Sequence, residues 1–405
     1  MNNSSKQYSL RYLYILVMLS MTFQLFNFLP IFDRHYIFIA LGLFLAFLYA
    51  KKMFYGKYFT YLVLYLFLVI LNWVSGDDFY GSTKRVIDEF MFLFLPPAML
   101  YSLKTYSEGA LFKTMFIVFM VFLLESTVVS VVANIAYPGI MRMMASGEMA
   151  IEYSAILLPF QRLGMSDYAM PHAIPALLPG LVYLTRNTKG IRMLLSIICI
   201  GITMVLVYVS NSSTALLLSV IILLFSFLVN PDRPQRSMIV LFFCMLVFIP
   251  FFFNTELQIN VLEGVNSFIP EDANIHKKIV DIQSSIAYGD AEGSVENRTL
   301  LYQKTMTEFF SNPLIGSNNP VGGHAALLDR LATLGIIGFI PLVMLFYSFT
   351  KSLYANLPKN RHFYFLLGLI AALIMLAVKS SMSWALFFVL FFLLPGLLMF
   401  LPQEK

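Results

Sequence analysis

The sequence predicts an all-α, polytopic membrane protein that forms one membrane domain over residues 1–405. Hydrophobic residues make up 59% of the chain and charged residues only 12%, whereas soluble domains carry about 25% charged residues. The 40 phenylalanines and 22 tyrosines are more than a soluble core would hold. The apolar residues also come in segments of bilayer length, since a transmembrane helix needs about 20 of them.

These segments predict about twelve transmembrane helices. They lie at roughly 10–30, 35–50, 58–75, 86–102, 111–135, 171–185, 193–210, 213–229, 237–253, 331–350, 362–378 and 382–401. Several contain proline, which removes a backbone donor and tends to kink a helix. Such kinks either shape a cavity in the bundle or are ordinary features of membrane helices. The prolines concerned are Pro96, Pro97, Pro175, Pro179, Pro341 and Pro395.

Lysine and arginine predict the orientation, because cytoplasmic loops are enriched in them. With the N-terminus inside, the inner loops carry most basic residues, and the first apolar segment is a retained span, since no small-residue cleavage site follows it. Both termini are then cytoplasmic, and the long loops 136–170 and 254–322 lie outside. ATP and sugar nucleotides are not available there. The short outer loops hold only Arg34, Lys84, Arg85 and Lys379.

Several classes of site and partner are not expected. The net charge of +5 is spread over many loops, so it does not indicate nucleic acid binding. Cys199 and Cys244 lie in apolar segments, which argues against a structural disulfide or a thiolate metal site. The chain has no phosphate-cradling glycine loop, no zinc-spaced His/Glu set and no nucleophile elbow. We therefore expect neither a cofactor nor a metal.

The outer loop at 254–330 is the expected place for chemistry, because histidine, arginine and carboxylate occur together there. His324 follows two glycines, and its imidazole suits a general base or a donor to phosphate; the alternative is an ordinary loop histidine. Asp329, beside Arg330, stands where the chain enters the membrane. It either orients His324 or caps a helix.

Three further charged residues are candidates. Arg298 opens an amphipathic stretch that ends at Ser311, and its guanidinium can hold a phosphate through two parallel hydrogen bonds; it is otherwise a solvated arginine. Arg162, in the other outer loop, suits a lipid phosphate or is an interfacial anchor. Lys379, at the outer end of the eleventh span, adds positive charge. Glu125 is mid-span, and we expect it to face the bundle interior.

Three segments carry a resemblance to a known family. They are Asn297-Arg298 through Phe309-Phe310 to Asn312-Pro313-Leu314-Ile315-Gly316; His324 with Leu328-Asp329 and Leu334-Gly335-Ile336-Ile337-Gly338; and Arg162-Leu163-Gly164 through Pro171-His172. With the twelve spans and the long loop after span nine, they resemble the O-antigen polymerase and O-antigen ligase superfamily. That family handles undecaprenyl-diphosphate-linked glycans on the outer face of the bacterial inner membrane.

The chain departs from the family pattern at one place. Many relatives carry Ser-Arg near the outer end of the eighth span, where this chain has Ser210-Asn211-Ser212-Ser213-Thr214. A phosphate ligand is then missing, or Lys379 or Arg162 replaces it.

The resemblance implies a GT-C-like fold and an inverting, metal-independent glycosyltransferase in the bacterial inner membrane. Arg298 and Arg162 would hold the donor diphosphate, with Lys379 near them. His324 would accept the proton of the attacking hydroxyl or bind the diphosphate, and Asp329 would orient it or cap the helix. The implied partners are two lipid-linked glycans, membrane lipid and a chain-length regulator protein.

Within the family, we favour a polymerase, because the pattern Gly-His-x-x-Leu-Leu-Asp-x-Leu that begins at Gly323 is closer to polymerases than to the usual His-Asn start of ligases. A ligase that transfers the glycan to a lipid A-core acceptor is the alternative. A flippase for lipid-linked oligosaccharides is an alternative of another class. Transporters usually show two similar halves, and no internal repeat is evident in this sequence.

Overall fold

The structure is a computed structural model that describes most of the chain. The described residues are 53, 56–74, 79–138, 140–141, 151–166, 168–210, 212–228, 255–267, 276, 279–280, 283, 294–317, 325–379 and 382–401. The predicted spans at 10–30, 35–50 and 237–253 lie outside the described residues.

The described ranges are helical and contain no strand. The helices are α1 (Lys57–Val74), α2 (Phe79–Thr105), α3 (Gly109–Ala136), α4 (Ile151–Arg162), α5 (Ala169–Asn187), α6 (Ile191–Val209), α7 (Ser213–Leu228), α8 (Thr255–Asn266), α9 (Ser294–Ser311), α10 (Ala326–Tyr354), α11 (Lys359–Val378) and α12 (Trp384–Phe400). The prediction of an all-α fold is confirmed over this part of the chain.

Five described helices are long and apolar enough to cross a membrane, namely Val86–Thr105, Gly109–Ala136, Ile191–Val209, Ala326–Tyr354 and Lys359–Val378. Shorter apolar helices cover most of α1, α7 and α12. Large apolar side chains such as Val121 and Leu194 are exposed on the outside of the bundle, which is expected where lipid covers a surface and costly where water does. The chain is therefore a multi-pass membrane protein. The number twelve stays a prediction.

The bundle has two chemically different ends. At one end α10 begins and α11 stops, and the Ala326 N–H donates to the Lys379 carbonyl at 2.9 Å. We call this the Asp329 end. At the opposite end α10 stops and α11 begins, and the Arg361 guanidinium donates to the Leu398 carbonyl. We call it the basic end, after the helix-terminal residues Lys57, Lys104, Arg186, Lys189, Arg192, Lys351, Lys359 and Arg361.

The core consists of α5 and α12, with α6, α7 and α11 packed around α5. Every residue of α5 from Met170 to Leu184 is buried, as expected of a helix that is apolar on all sides. In α12 the five residues Val389–Leu393 form a π-helical turn directly before Pro395. A proline removes a backbone donor from its helix, and local π-helical adjustments in membrane helices re-satisfy the backbone groups that are freed.

A tyrosine compensates for a proline in α2. Pro97 has no N–H, so the Leu93 carbonyl four residues earlier loses its regular helical donor. The Tyr58 hydroxyl, on the neighbouring α1, donates to that carbonyl instead. Tyr58 is 8% exposed, so the bond lies in a place where an unsatisfied carbonyl would be costly.

We expect Tyr58→Phe to destabilise the protein by about 1–3 kcal/mol, because it leaves the buried Leu93 carbonyl unsatisfied. Tyr61→Phe, on a half-buried tyrosine one turn along the same helix, is the matched control and should change little. Thermal unfolding of the purified protein in detergent measures both. Equal melting temperatures for the two variants would contradict this role of Tyr58.

The main irregularity of the bundle is a break in α10 at Gly335, whose φ is 62° and ψ −174°. The break lies six residues before Pro341, the residue at which the sequence predicts a kink. It separates Ile336 and Ile337 from the carbonyls of Ala332 and Thr333, their normal helical partners. Four backbone polar groups are thereby freed inside a membrane helix, where each must find another partner.

All four freed groups have partners. The Ile336 and Ile337 N–H groups donate to the carbonyls of Pro313 at 2.9 Å and Leu314 at 3.1 Å. The Ala332 carbonyl accepts from the Ser317 N–H at 3.0 Å. The fourth group, the Thr333 carbonyl, accepts a hydrogen bond from the side-chain Nδ2 of Asn72, on α1, at 2.8 Å. These four hydrogen bonds are called the break seal below. They dock residues 312–317 onto α10.

One expectation about the spans is wrong. Glu125 was predicted to face the bundle interior, but it lies on the exposed side of α3, beside exposed Val121, Leu124 and Val128. The interior side of the same turn is taken by Leu123, Ser126 and Thr127, which are all buried. Small and apolar side chains fill the narrow space between helices, and the carboxylate is excluded from it.

Candidate active site at the Asp329 end

Asp329 stabilises the start of α10. The first N–H groups of a helix have no partner within the helix. The Asp329 carboxylate accepts from the Ala325 N–H at 3.2 Å, and the Asp329 N–H donates to the Ala325 carbonyl at 2.8 Å. A negative charge in the first turn also interacts favourably with the helix dipole. The helix therefore begins at Ala326, five residues before the predicted span, and the capping role proposed for Asp329 is observed.

The same carboxylate joins α10 to the amphipathic helix α9. The Thr305 hydroxyl lies 3.3 Å from Asp329 Oδ1 and 2.9 Å from the Leu301 carbonyl, so its one proton is shared between two acceptors. Thr305 is 1% exposed. One turn earlier, the Tyr302 hydroxyl lies 3.5 Å from the Val378 carbonyl, at the limit of hydrogen-bond distance. Helix α9 thus lies across the ends of α10 and α11.

Arg298 lies in the first turns of α9, and its side chain is outside the part of the chain that the structure describes. Its backbone position is one turn before Tyr302 and two turns before Thr305. Residues at i, i+4 and i+7 share one face of a helix. Arg298 therefore shares a helix face with the two residues that contact the ends of α10 and α11.

Lys379 follows α11 directly, and its carbonyl accepts the Ala326 N–H. Asp329 and Lys379 are thus held at one place by backbone hydrogen bonds around Ala325 and Ala326. His324 precedes Ala325 in the sequence, but it lies outside the described residues. Its contact with Asp329 stays a prediction.

A buried ion pair lies beside Asp329, and the sequence alone indicated only one half of it. Arg330, on α10, pairs with Glu89 of α2. Glu89 is 4% exposed and also accepts a hydrogen bond from the Tyr65 hydroxyl of α1 at 2.8 Å. The Arg330 Nε lies 3.5 Å from the Met382 sulfur before α12. The pair therefore joins three helices and the start of a fourth at the Asp329 end.

Arg162 is exposed at the last turn of α4. The residues after it form a Schellman motif: the Met165 N–H donates to the Phe160 carbonyl at 2.9 Å, and the Gly164 N–H donates to Gln161 at 3.0 Å. Gly164 has the positive φ, 88°, that this motif requires. The Arg162-Leu163-Gly164 pattern thus ends a helix. The structure leaves the predicted phosphate contact of Arg162 untested.

The segment Ser210–Thr214, which lacks the arginine of the family pattern, contacts a buried histidine. His172, near the start of α5, is 6% exposed, and its Nε2 lies 3.1 Å from the Ser212 hydroxyl oxygen. The Tyr168 ring packs on the imidazole, with 5.5 Å between ring centroids. The sequence analysis named His172 only as part of the segment that carries the family resemblance and predicted no contact for it. A histidine at the start of an apolar helix could have indicated that it has a polar partner.

Two polar groups can therefore be placed at this end. One contains Asp329, Arg330, Glu89 and the docked helix α9. The other contains His172 and Ser212. Helix α12 begins between them, since α12 packs on both α2 and α5 near Trp384. A carboxylate, an ion pair and hydroxyls thus lie at one end of the bundle, around the buried aromatic side chains of Trp384 and Phe388 at the start of α12.

No family model matches the sequence, and neither does any curated protein.

Proposed function

We propose that the protein polymerises undecaprenyl-diphosphate-linked oligosaccharide repeat units on the outer face of the bacterial inner membrane. It would act as a metal-independent, inverting glycosyltransferase of the O-antigen polymerase type, on a GT-C-like fold of about twelve spans. The observation that carries the proposal is the docking of α9 by Tyr302 and Thr305. It holds the helix that contains Arg298 against the ends of α10 and α11, beside Asp329 and Lys379.

The break seal is the second support. Two of the segments that carry the family resemblance, residues 312–316 and 334–338, are hydrogen-bonded to each other through Pro313–Ile336 and Leu314–Ile337. The sequence motifs thus form one structural unit. That unit attaches the C-terminal end of α9 to α10. It thereby restricts the position of α9, whose first turns contain Arg298, relative to the helix that carries Asp329.

The basic end is the third support, because it lies opposite the site. The helix-terminal lysines and arginines named above cluster there, with Glu108 as the nearby carboxylate of the α2–α3 turn. Positively charged loops favour the cytoplasmic side. The Asp329 end would then face the outside, where lipid-linked repeat units are displayed after translocation.

In the proposed reaction, the hydroxyl of the acceptor sugar attacks the anomeric carbon of the donor, and the bond from that carbon to the diphosphate oxygen breaks. Arg298, with Arg162 and Lys379, would neutralise the charge that develops on the leaving diphosphate. The hydroxyl proton would pass to His324. The Asp329 carboxylate accepts a hydrogen bond from the N–H of Ala325, the residue that follows His324 in the sequence. The growing glycan stays on one lipid carrier, and the other leaves as undecaprenyl diphosphate.

The deciding experiment gives purified protein a lipid-linked repeat unit and measures chain length. We expect elongation that needs no membrane gradient and that persists in the presence of a metal chelator. Arg298→Ala should lower the rate about a hundredfold or more, as loss of one charge-stabilising donor does. His324→Ala should also abolish most activity. Arg298→Lys should recover little, because lysine cannot form the two parallel hydrogen bonds.

Lys304→Ala is the matched control, because Lys304 is an exposed cation on the same helix. It should elongate normally. Transfer to a lipid A-core acceptor without elongation would instead identify a ligase. Movement of the substrate across vesicles with unchanged chain length would identify a flippase. Full activity in both Arg298→Ala and His324→Ala would refute the assigned roles.

A further inference from the structure

A second site of a different kind lies at the basic end, far along the bundle from Asp329. A cavity of about 320 Å³ opens between α1, α2, α10 and α12. Part of its wall is apolar and buried, formed by Leu100 and Phe349, with Met399 beside them. The Tyr58 hydroxyl, which also lines the cavity, is already engaged with the Leu93 carbonyl. The hydrogen bond that replaces the donor missing at Pro97 thus holds Tyr58 in place on this side of the cavity.

The rim of the cavity is positively charged and rich in hydrogen-bond donors. Its polar lining residues are Lys57, Tyr101, Lys104, Ser348, Ser352 and Asn356. None of the described lining residues is acidic. Ammonium and hydroxyl groups without a carboxylate among them favour an anion, and lysine is a common ligand of phosphate.

We propose that this cavity binds a phosphate group that is the headgroup of an anionic membrane phospholipid. The phosphate would lie between Lys57 and Lys104, and the first part of an acyl chain would follow the apolar wall toward Met399. Basic pockets between transmembrane helices on the cytoplasmic side are known to hold anionic lipid headgroups. The proposal does not depend on the glycosyltransferase activity, because the cavity lies at the other end of the bundle.

The size of the cavity favours a headgroup over a whole substrate. Pockets for small organic ligands range from about 300 to 1,000 Å³, so this one is at the lower limit. A lipid-linked oligosaccharide would not fit. A headgroup with a few methylenes would fit, and the rest of the lipid would remain in the bilayer along the exposed apolar faces of the neighbouring helices.

The experiment uses the full-length protein in detergent, with binding measured by native mass spectrometry and thermal shift. The probes are phosphatidylglycerol, phosphatidylcholine and inorganic phosphate. We expect phosphatidylglycerol to bind and stabilise the protein, and phosphatidylcholine to do so much less. Lys57→Gln and Lys104→Gln should each weaken phosphatidylglycerol binding about fivefold, and the double variant about twenty-five-fold, from the usual contribution of one basic residue at a lipid surface.

Lys351→Gln is the matched control, since Lys351 is an exposed cation of the same end that lies over the Tyr347 ring, outside the cavity lining. It should bind like the wild type. The double arginine variant, Lys57→Arg/Lys104→Arg, should retain binding. This result would show that substitution at both positions leaves the fold intact. Unchanged lipid binding in the double glutamine variant would overturn the proposal. If inorganic phosphate stabilises the protein as much as phosphatidylglycerol does, the site binds a soluble phosphate compound. That result would overturn the proposal that the phosphate belongs to a lipid.

Discussion

Replacing Gly335 by alanine is expected to prevent the Asp329 end from folding. The φ of 62° and ψ of −174° belong to a region that is essentially restricted to glycine. A Cβ at Gly335 would also lie 2.6 Å from the Gly316 nitrogen, and a Cβ at Gly316 would lie 2.6 Å from the Gly335 nitrogen. Both contacts are to backbone, which cannot rotate away. The strain and the lost break seal together should exceed about 4 kcal/mol, an exceptional effect for one methyl group.

Gly316→Ala should have nearly the same effect, because Gly316 has a φ of 88° and approaches the same backbone from the other side. Gly201→Ala is the matched control. Gly201 lies in α6, and nothing stands within 4 Å of a Cβ built there, so alanine should be neutral or slightly stabilising through helix propensity. The measurement is the yield of monodisperse protein and its thermal unfolding. A Gly335→Ala protein as stable as the Gly201→Ala protein would show that the break seal is not required.

The positions of the described apolar helices could be predicted closely from hydropathy alone, whereas the helices Ile151–Arg162 and Thr255–Asn266, in the expected outer loops, were not predicted. The predicted spans 58–75 and 111–135 correspond to Lys57–Val74 and Gly109–Ala136. Both helices are predominantly apolar over a length that can cross a bilayer. The prediction was less accurate at α10, where Asp329 and Arg330 were placed outside the span. In the structure, both belong to the helix, because Asp329 caps its start and Arg330 is paired.

The tertiary partners could not be predicted, because they depend on residues far apart in the chain. Glu89 and Arg330 are 241 residues apart, and Asn72 and Thr333 are 261 residues apart. Nothing in the local sequence around Asn72 indicates that it will hydrogen-bond a carbonyl of a broken helix. The sequence indicates a kink in this span only at Pro341, since proline tends to kink a helix, whereas the break lies at Gly335. The glycine pair that produces it is recognisable only when residues 316 and 335 are seen in contact.

The candidate site could be predicted in part. The outer loop was expected to hold the chemistry, and the structure brings Asp329, Lys379 and the helix of Arg298 to one end through α9. His324 lies outside the described residues, and the side chain of Arg298 does as well. The convergence of these two side chains therefore stays a prediction, which the elongation assay tests.

Breaking the ion pair between Glu89 and Arg330 is the second change with a large expected effect. Glu89 is 4% exposed, so removal of either partner leaves a buried charge or a buried set of donors without its counterpart. Glu89→Leu and Arg330→Met should each destabilise the protein by about 3–5 kcal/mol. The double variant should recover most of this loss, because two apolar side chains of similar volume replace the pair without a desolvation cost. Thermal unfolding of the three variants measures the coupling.

Glu308→Gln is the control for loss of a carboxylate, since Glu308 is half-buried on α9 and away from the pair; its stability should be close to that of the wild type. Additive losses in the double variant would show that Glu89 and Arg330 do not depend on each other. The proposed reaction gives Arg330 no contact with the substrate, since its guanidinium is paired with Glu89. We therefore expect the double variant to elongate glycans at the normal rate. A stable but inactive double variant would contradict a purely structural role of Arg330.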